Sequence, residues 1–478
     1  MIRAKKKIDF TSGKIFPKLF WFSLPIIATN LLQVCYNAAD MMIVSLSDEP
    51  NAVGAIGTTT SLIALIINAF IGFSVGANVA IAKRLGAKDN ESAARATHTS
   101  VLLSVILGIG CMVITLVVAR PILVWMGNTG NVLELAHTYT VVYALGIPFT
   151  SLTNFLVSVY RAKGDSKTPL RVLSLSGLVN VLLNLFFVLA LGMSVDGVAL
   201  ATAIANLLSA SVFVFKLMRA NDATRLVISR LRIDKKSLRD IIVIGLPTGI
   251  QFILFSISTI LIQSSIVALD AITTPDPNIS PVINGNAAQA NLDNFVYQST
   301  CAVYQAATTF TSQNFGANKI DRIKKGALQS YVLVLSVSLF VSGLMIAFHP
   351  FLLSLYNITP GESGSASMIA YESARLRLYL VTIFYALLGL SDVSTGIMRG
   401  IGKSVPPMIL TIFSICILRV FWTLVVFPNY MTLTNLLLSF PISWGFAALV
   451  GIILSVIYVN ALKGRVTEDP LPEVQAVN

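Results

Sequence analysis

The residues best suited to chemistry lie on one face of the first long apolar segment of the chain. When this segment is drawn as a helix at 100° per residue, four polar side chains fall within an arc of about 80°: Asn30, Gln33, Asn37 and Asp40. Tyr36 borders the arc. A carboxylate at the depth of a membrane costs roughly 2.5–3.5 kcal/mol on insertion scales, so it should face an interior cavity. We therefore predict that Asp40 binds a proton or a cation; an Asp at the helix end that caps the helix or faces the outer solvent is the alternative.

Two further apolar segments carry polar side chains at helical spacing. They are Asn180 and Asn184, one turn apart in the fifth segment, and Thr202, Asn206 and Ser209 on a narrow face of the sixth. Their amide and hydroxyl oxygens could complete a site around Asp40. Ordinary hydrogen bonding between helices is the alternative.

The second half of the chain is polar in a different way. Its eighth segment presents an uncharged stripe that could line a path through the membrane or form structural bonds: Asn291, Asn294, Gln298, Gln305, Thr309 and Ser312. Two charges lie deeper in later segments, Asp392 in the tenth and Arg419 in the eleventh. Isolated burial of either charge would be too costly. They are read as a buried ion pair between neighbouring helices or as a second titrating site.

The composition shows what must position these side chains. Of 478 residues, 55% are hydrophobic and only 12% are charged, whereas soluble domains carry about 25% charged residues. Apolar segments of about 20 residues suit a hydrocarbon core of about 30 Å, and they lack the alternation of an outer-membrane barrel. The chain is therefore predicted to be an all-α polytopic membrane protein.

Twelve membrane spans account for most of the length. Their predicted ranges are 18–44, 53–82, 94–119, 134–159, 169–191, 194–218, 240–269, 286–314, 326–348, 373–398, 405–428 and 435–462. They divide the chain into an N-terminal segment, an N-lobe of helices 1–6, a basic linker, a C-lobe of helices 7–12 and a tail: residues 1–17, 18–219, 220–239, 240–462 and 463–478.

The distribution of charge predicts the orientation. Most of the 34 Lys and Arg residues fall on alternate connections, and the opposite connections carry acidic residues such as Asp48, Asp196, Asp270 and Asp293. By the positive-inside rule both termini face the cytoplasm of a multi-pass protein in the inner or plasma membrane. The net charge of +12 is thus a topology signal, helped by contact with membrane lipids, and nucleic acid is excluded as a partner.

Cofactor and metal chemistry find no support in the sequence. The four cysteines lie within apolar segments without ligand spacing, and the three histidines are scattered. No clustered catalytic set is present, so the chain is not expected to be an enzyme, and no cofactor or metal is expected.

The two halves of the chain repeat one another. Leu24-Pro25 recurs as Leu246-Pro247, and Leu85-Gly86-Ala87 recurs as Phe315-Gly316-Ala317. Each half spans the membrane six times, so the copies are parallel, with a cavity expected between two lobes. At the position that matches Asp40 the second half has Ile262, which favours a single coupling site in the first lobe.

Four short strings are distinctive in combination: Tyr36-Asn37-Ala38-Ala39-Asp40, Gly72-Phe73-Ser74-Val75-Gly76-Ala77, Gln313-Asn314-Phe315-Gly316-Ala317 and Met398-Arg399-Gly400. Together they resemble the signatures of the multidrug and toxic compound extrusion (MATE) family. The resemblance covers about residues 18–462 and implies two six-helix lobes in a V shape and antiport coupled to protons or cations. It implies that Asp40 is the coupling carboxylate and that Asn180 and Thr202 supply cation-site oxygens.

The chain departs from the family pattern at two places. Asn184 stands where many prokaryotic members have a second Asp. Phe255 stands near the Glu of another branch, whose second acidic residue has a counterpart in Asp392. The resemblance therefore implies neither a two-carboxylate sodium site nor a complete second-lobe site in this chain.

The function expected from the sequence is secondary active export by alternating access. A monomer would exchange H⁺ or Na⁺ at Asp40, Asn180, Asn184 and Thr202 for a drug-like or organic cationic small molecule. The expected substrate cavity is lined by Asn30, Gln33, Tyr36, Asn37, Asn206, Gln298 and Gln305. A flippase or exporter of a lipid-linked or other metabolite is the alternative, disfavoured because most basic residues are peripheral.

Overall fold

Twelve long helices make up most of the part of the chain described by the structure. In this computed structural model the described residues are 7–49, 51–273 and 279–468. The helices are α1 Ile15–Val44, α2 Ala52–Gly86, α3 Asn90–Trp125, α4 Gly130–Ala162, α5 Lys167–Ala190, α6 Val195–Met218, α7 Lys235–Thr273, α8 Pro281–Gly316, α9 Ile320–Ala347, α10 Ala366–Gly400, α11 Val405–Asn429 and α12 Leu433–Glu468.

Eleven of these helices are long and apolar enough to cross a membrane, counted over the described residues. The exception is α8, which has 36 residues but carries the polar stripe noted above. Among the buried polar side chains of α8, Thr309 donates to the carbonyl oxygen of Gln305 in the same helix, and Gln289 donates to Asp293 of α8 and to Thr382 of α10. A spanning helix of this composition is stable only inside a bundle, because lipid offers no hydrogen-bond partner.

The chain forms two compact units. The first consists of residues 7–9 and Phe20–Ile260, and the second consists of Phe10–Leu19 and the described residues from Leu261 onward. The division in the middle of the chain therefore falls inside α7. The lobe boundaries at residues 219 and 240 stay a prediction about the sequence repeat.

In the first unit, α4 packs against α2, α3 and α6, and α5 packs against α6. Glycines let α2 and α7 approach backbone to backbone. A Cβ atom on Gly72 would lie 2.4 Å from the backbone nitrogen of Gly249, and one on Gly76 would lie 2.3 Å from the carbonyl oxygen of Ile241. Small residues allow such close crossings where lipid gives helices little hydrophobic reason to associate.

In the second unit, α8 packs against α9 and α10, and α10 packs against α12. Three stretches of π-helix interrupt the last helices. They are Leu378–Thr382 in α10, and Ile412–Ile417 and Trp422–Val426 in α11. A π-turn inserts an extra residue into the turn and rotates every side chain beyond it.

The connection between α6 and α7 is fixed to the first unit by one carboxylate. Asp222 pairs with Lys7, lies 3.5 Å from Lys163 and accepts a hydrogen bond of 2.5 Å from the hydroxyl of Thr224. Burial alone would raise the pKa of Asp222, but Lys163, Lys7 and Thr224 together lower it by more. The pKa of Asp222 therefore lies below its ordinary value of about 3.9.

Candidate functional site

The carboxylate predicted to bind a proton or cation lies against α5. Asn184 donates from Nδ2 to Oδ1 of Asp40 across 2.5 Å. Helix α1 continues past Asp40 to Val44, so the carboxylate lies within the helix. The alternative interpretation, a cap at the helix end, does not describe this contact.

A chain of hydrogen bonds continues from Asp40 through two more helices. Asn184 also donates to Oδ1 of Asn180 at 3.5 Å, and Asn180 donates to Oγ1 of Thr202 on α6 at 3.3 Å. Thr202 in turn donates to the carbonyl oxygen of Val198 at 3.0 Å. The structure thus joins all four residues of the predicted coupling site in one network.

This network contains a carboxylate and amides but no cationic side chain. Asp40 belongs to none of the six ion pairs found among the described residues. Asn184 is fully buried, and its Oδ1 atom has no hydrogen-bond partner. An unpaired acceptor beside a carboxylate is an environment that favours a positively charged or proton-donating ligand, since unsatisfied buried polar atoms are costly.

Two tyrosines of α4 belong to the surroundings of Asp40 and were not identified from the sequence. Tyr139 and Tyr143 are buried, stack with ring centres 6.0 Å apart and interact electrostatically with Asp40. Their spacing of four residues on one helix face is the signal that could have indicated them.

The other side chains predicted for the first unit lie outside this network. Tyr36 donates to the carbonyl oxygen of Ser174 at 3.1 Å, and its ring fills the space beside Gly177 on α5. Asn30 is buried and Asn206 half-buried, whereas Gln33 and Asn37 are exposed on the surface of the unit.

In the second unit, the two glutamines predicted for the cavity are half-buried on α8. Gln305 donates to the sulfur of Cys301 at 3.6 Å, and its Oε1 atom is buried without a partner. Gln298 lies two turns earlier on the same helix. That Gln298 and Gln305 line a substrate cavity stays a prediction.

The ion pair predicted between Asp392 and Arg419 is not formed. Arg419 donates from Nε to the hydroxyl of Ser443 on α12 at 3.0 Å, and Asp392 interacts electrostatically with Arg399 of its own helix. Both residues follow π-turns in their helices. The predicted ion pair was therefore wrong, and the alternative, a second titrating site, stays a prediction.

The buried ion pair of the second unit is instead Asp293 on α8 with Arg377 on α10. Arg377 donates from Nε to Oδ2 of Asp293 at 2.8 Å and from a terminal nitrogen to Oδ1 of Asn286 at 2.9 Å. Gln289 and Thr382 donate to the other carboxylate oxygen at 3.1 and 2.5 Å. Asp293 is 0% exposed.

The assignment of Asp293 and Asp270 to connections was therefore wrong. Asp293 lies inside α8, and Asp270, also buried, lies in the last turn of α7. Asp270 accepts a hydrogen bond of 2.7 Å from the backbone nitrogen of Val282, in the first turn of α8. A carboxylate there satisfies helix donors that have no partner within the helix. The spacing of Asn286, Gln289 and Asp293 along one face of α8 is the sequence signal for the buried cluster.

Comparison with known proteins agrees with this architecture. The family model MatE matches residues 25–186 and 283–425, more than half of the chain. The probable multidrug resistance protein YpnP of Bacillus subtilis (strain 168) is 23% identical over 414 residues, which cover 87% of this chain and 89% of the relative. The multidrug export protein MepA of Staphylococcus aureus (strain NCTC 8325 / PS 47) is 27% identical over 254 residues, covering 53% of this chain and 56% of MepA.

A solved structure shares the whole fold. It is an outward-facing conformation of a multidrug resistance MATE family transporter of the MOP superfamily, with 22% sequence identity. The TM-score is 0.87, and the match covers 97% of this chain and 100% of that chain. The predicted all-α polytopic fold is confirmed.

Proposed function

Since the chain belongs to the MATE family of multidrug efflux transporters, we propose that it is a secondary active antiporter. In this proposal it exports drug-like or organic cationic and amphipathic solutes from the cytoplasm in exchange for H⁺ or Na⁺. The observation that supports the proposal is the network of Asp40, Asn184, Asn180 and Thr202.

Asp40 has the properties of an exchange site for a small cation. Its charge is supported by one amide donor and by no cationic side chain among the described residues. A proton or Na⁺ would supply the positive charge, and the unpaired Oδ1 atom of Asn184 would accept from a protonated carboxyl or coordinate the metal ion. Amide groups suit this exchange, because a flip of the Asn side chain replaces a donor by an acceptor at the same position.

Alternating access would couple this exchange to export. Loading Asp40 from outside changes the charge on α1 and its hydrogen bond to α5, and the helices rearrange so that a solute leaves outward. The exposed amides of Gln33 and Asn37 on the same helix are proposed to contact the solute. Gln298 and Gln305 on α8 are proposed to line the path in the second unit.

The proposal includes the setting of the transporter. The chain is a multi-pass membrane protein, and the distribution of Lys and Arg supports cytoplasmic termini in a cell membrane. We propose that it acts as a monomer surrounded by membrane lipids, without a cofactor.

Transport in proteoliposomes with separately imposed gradients tests the proposal. A pH gradient and a sodium gradient are each applied to the purified full chain, with a panel of cationic dyes as substrates. We expect at least one gradient to drive dye accumulation against its concentration, and the gradient that does so identifies the coupling ion. Failure of both gradients with every dye would refute drug export.

The flippase alternative is disfavoured because most buried arginines interact with an acidic side chain. Arg377 is paired with Asp293, and Arg399 interacts with Asp392 and donates to the hydroxyl of Tyr304. A pyrophosphate headgroup needs several cations that are not already neutralised. More arginines are buried than the sequence suggested, but most carry their own countercharge.

A further inference from the structure

Arg419 lies deep in the second unit with most of its guanidinium unsatisfied. The residue is 1% exposed, and its Nε atom donates to the hydroxyl of Ser443 at 3.0 Å. Its Cζ atom lies 4.3 Å from the ring centre of Phe440 and 5.5 Å from that of Trp444. The guanidinium thus packs against two aromatic rings, which orient it but do not remove its charge.

Four hydrogen-bond groups around this position lack partners. Both terminal nitrogens of Arg419, Nε1 of Trp444 and the hydroxyl of Thr423 are buried without a hydrogen bond. Thr423 follows Arg419 by one helical turn. Three of the four groups can only donate, so what is missing around them is a hydrogen-bond acceptor.

No carboxylate compensates Arg419 within the described part of the chain. The titratable groups that interact with it electrostatically are Tyr385, Cys416 and Arg377. Arg377 adds a second positive charge, and it uses its own carboxylate partner, Asp293. An unpaired cation at membrane depth costs several kcal/mol, so a countercharge from outside the chain is favoured.

The backbone on both sides of Arg419 departs from regular α-helix. Helix α11 is π-helical at Ile412–Ile417 and again at Trp422–Val426, with only Leu418–Phe421 between them as regular α-helix. Such π-turns occur frequently at functional sites. Two of them directly beside one buried arginine support a role beyond packing.

We propose that Arg419, Trp444 and Thr423 form a binding site for a monovalent anion within the second unit. Two guanidinium N–H groups, an indole N–H and a hydroxyl would converge on one acceptor, and a single negative charge would balance a single arginine. Water could satisfy some of these donors but would leave the charge unbalanced. The anion is chloride or the carboxylate of a small solute, which offer the same chemistry to these donors.

Thermal unfolding of the purified full chain in different sodium salts tests this site. Chloride, formate and the bulky sulfonate isethionate are titrated at constant total sodium and ionic strength, so that sodium binding elsewhere contributes equally. We expect a saturable rise in Tm of about 3 °C with chloride, formate or both. Saturation with chloride alone assigns an inorganic anion, and saturation with formate alone assigns a carboxylate.

Variants separate binding from a structural role. Arg419→Gln should abolish the saturable rise, and in isethionate it should be at least as stable as the wild type, because an uncompensated charge has been removed. Arg120→Gln, at an exposed ion pair with Glu134, makes the same charge change and should keep the wild-type response. A structural arginine would instead leave Arg419→Gln less stable in every salt.

Trp444→Phe provides a second test that keeps the aromatic ring. Loss of one donor to an anion should weaken the apparent affinity roughly tenfold. The proposal is overturned if the wild type shows no saturable response to either anion, or if the removal of Arg419 or of the indole N–H leaves that response unchanged. This readout is independent of efflux, so it can fail while the proposed antiport stands.

Discussion

Replacing Asp40 with asparagine changes the charge of the network on α1, α5 and α6 while keeping its shape. The new amide still offers a carbonyl oxygen to Nδ2 of Asn184, the donor that now lies 2.5 Å from the carboxylate. A neutral hydrogen bond contributes about 1 kcal/mol less than one to a charged group, and the lower desolvation of an amide offsets part of this loss. We therefore expect Asp40→Asn to insert normally and to change the free energy of unfolding by about 1 kcal/mol or less.

The functional effect should be far larger than the structural one. For a neutral solute, each coupling charge that moves inward across 100 mV supplies about 2.3 kcal/mol. At 1.4 kcal/mol per tenfold, this corresponds to about a forty-fold gradient of that solute. One-for-one exchange with a monovalent cation moves no net charge, so the ion gradient alone drives it, and a tenfold ion gradient sustains about a tenfold solute gradient. An amide cannot carry the coupling charge, so the gradient sustained by Asp40→Asn should fall to about one.

Accumulation of a cationic dye in proteoliposomes under an imposed ion gradient, with the membrane potential clamped at zero, measures this loss. Asp48→Asn is the matched control: it makes the same chemical change at an exposed position shortly after α1, and it should keep the wild-type gradient. Accumulation by Asp40→Asn at the wild-type level, with the control also active, would refute the assignment of Asp40 as the coupling residue.

Three further perturbations test contacts inside each unit. Arg377→Met should lower the free energy of unfolding by about 3–5 kcal/mol because it leaves Asp293 buried without its partner. Adding Asp293→Leu should recover most of this loss. Equal instability of the single and double variants in denaturant titrations would contradict the prediction. Gly72→Ala should cost at least about 1–3 kcal/mol in the same assay, whereas Gly110→Ala, where nothing lies within 4 Å of the added carbon, should be neutral or stabilising; similar values for both would refute the close helix crossing. The pKa of Asp222 is lowered, so its ion pairs stabilise the fold above about pH 3.9 and this stabilisation is lost progressively at lower pH. Asp222→Asn should therefore flatten the fall of Tm measured from pH 6 to pH 3. An unchanged slope would exclude this contribution.

The hydrogen-bond network of Asp40, Asn184, Asn180 and Thr202 could be predicted because no π-turn lies before these residues within their own helices. Asp40 lies in continuous α-helix, and Asn180 and Asn184 lie before the π-turn Phe186–Ala190 of α5. A period of 100° per residue therefore places these side chains on the correct faces. Composition and helical periodicity were sufficient for the twelve helices and for the members of this site.

The charges of the second unit could not be paired in the same way. Asp392 follows the π-turn of α10, and Arg419 lies between the two π-turns of α11. Each inserted residue shifts the helical phase, and no pattern of apolar residues marks where the shift occurs. The order of the helices along the chain therefore suggested Arg419 as the partner of Asp392, but the two side chains contact different neighbours.

The two units surround a buried carboxylate differently, and under the proposed antiport this difference favours Asp40 over Asp293 as the coupling residue. Asp293 accepts from Arg377, Gln289 and Thr382, so its charge is already balanced by an arginine, which would repel a positive charge arriving there. Asp40 accepts from a single amide and belongs to no ion pair among the described residues. A proton or Na⁺ bound at Asp40 would therefore add interactions rather than replace them. Under the proposed antiport, the repeated halves of the chain would separate two roles, a fixed charge pair that stabilises one unit and an exchangeable charge in the other.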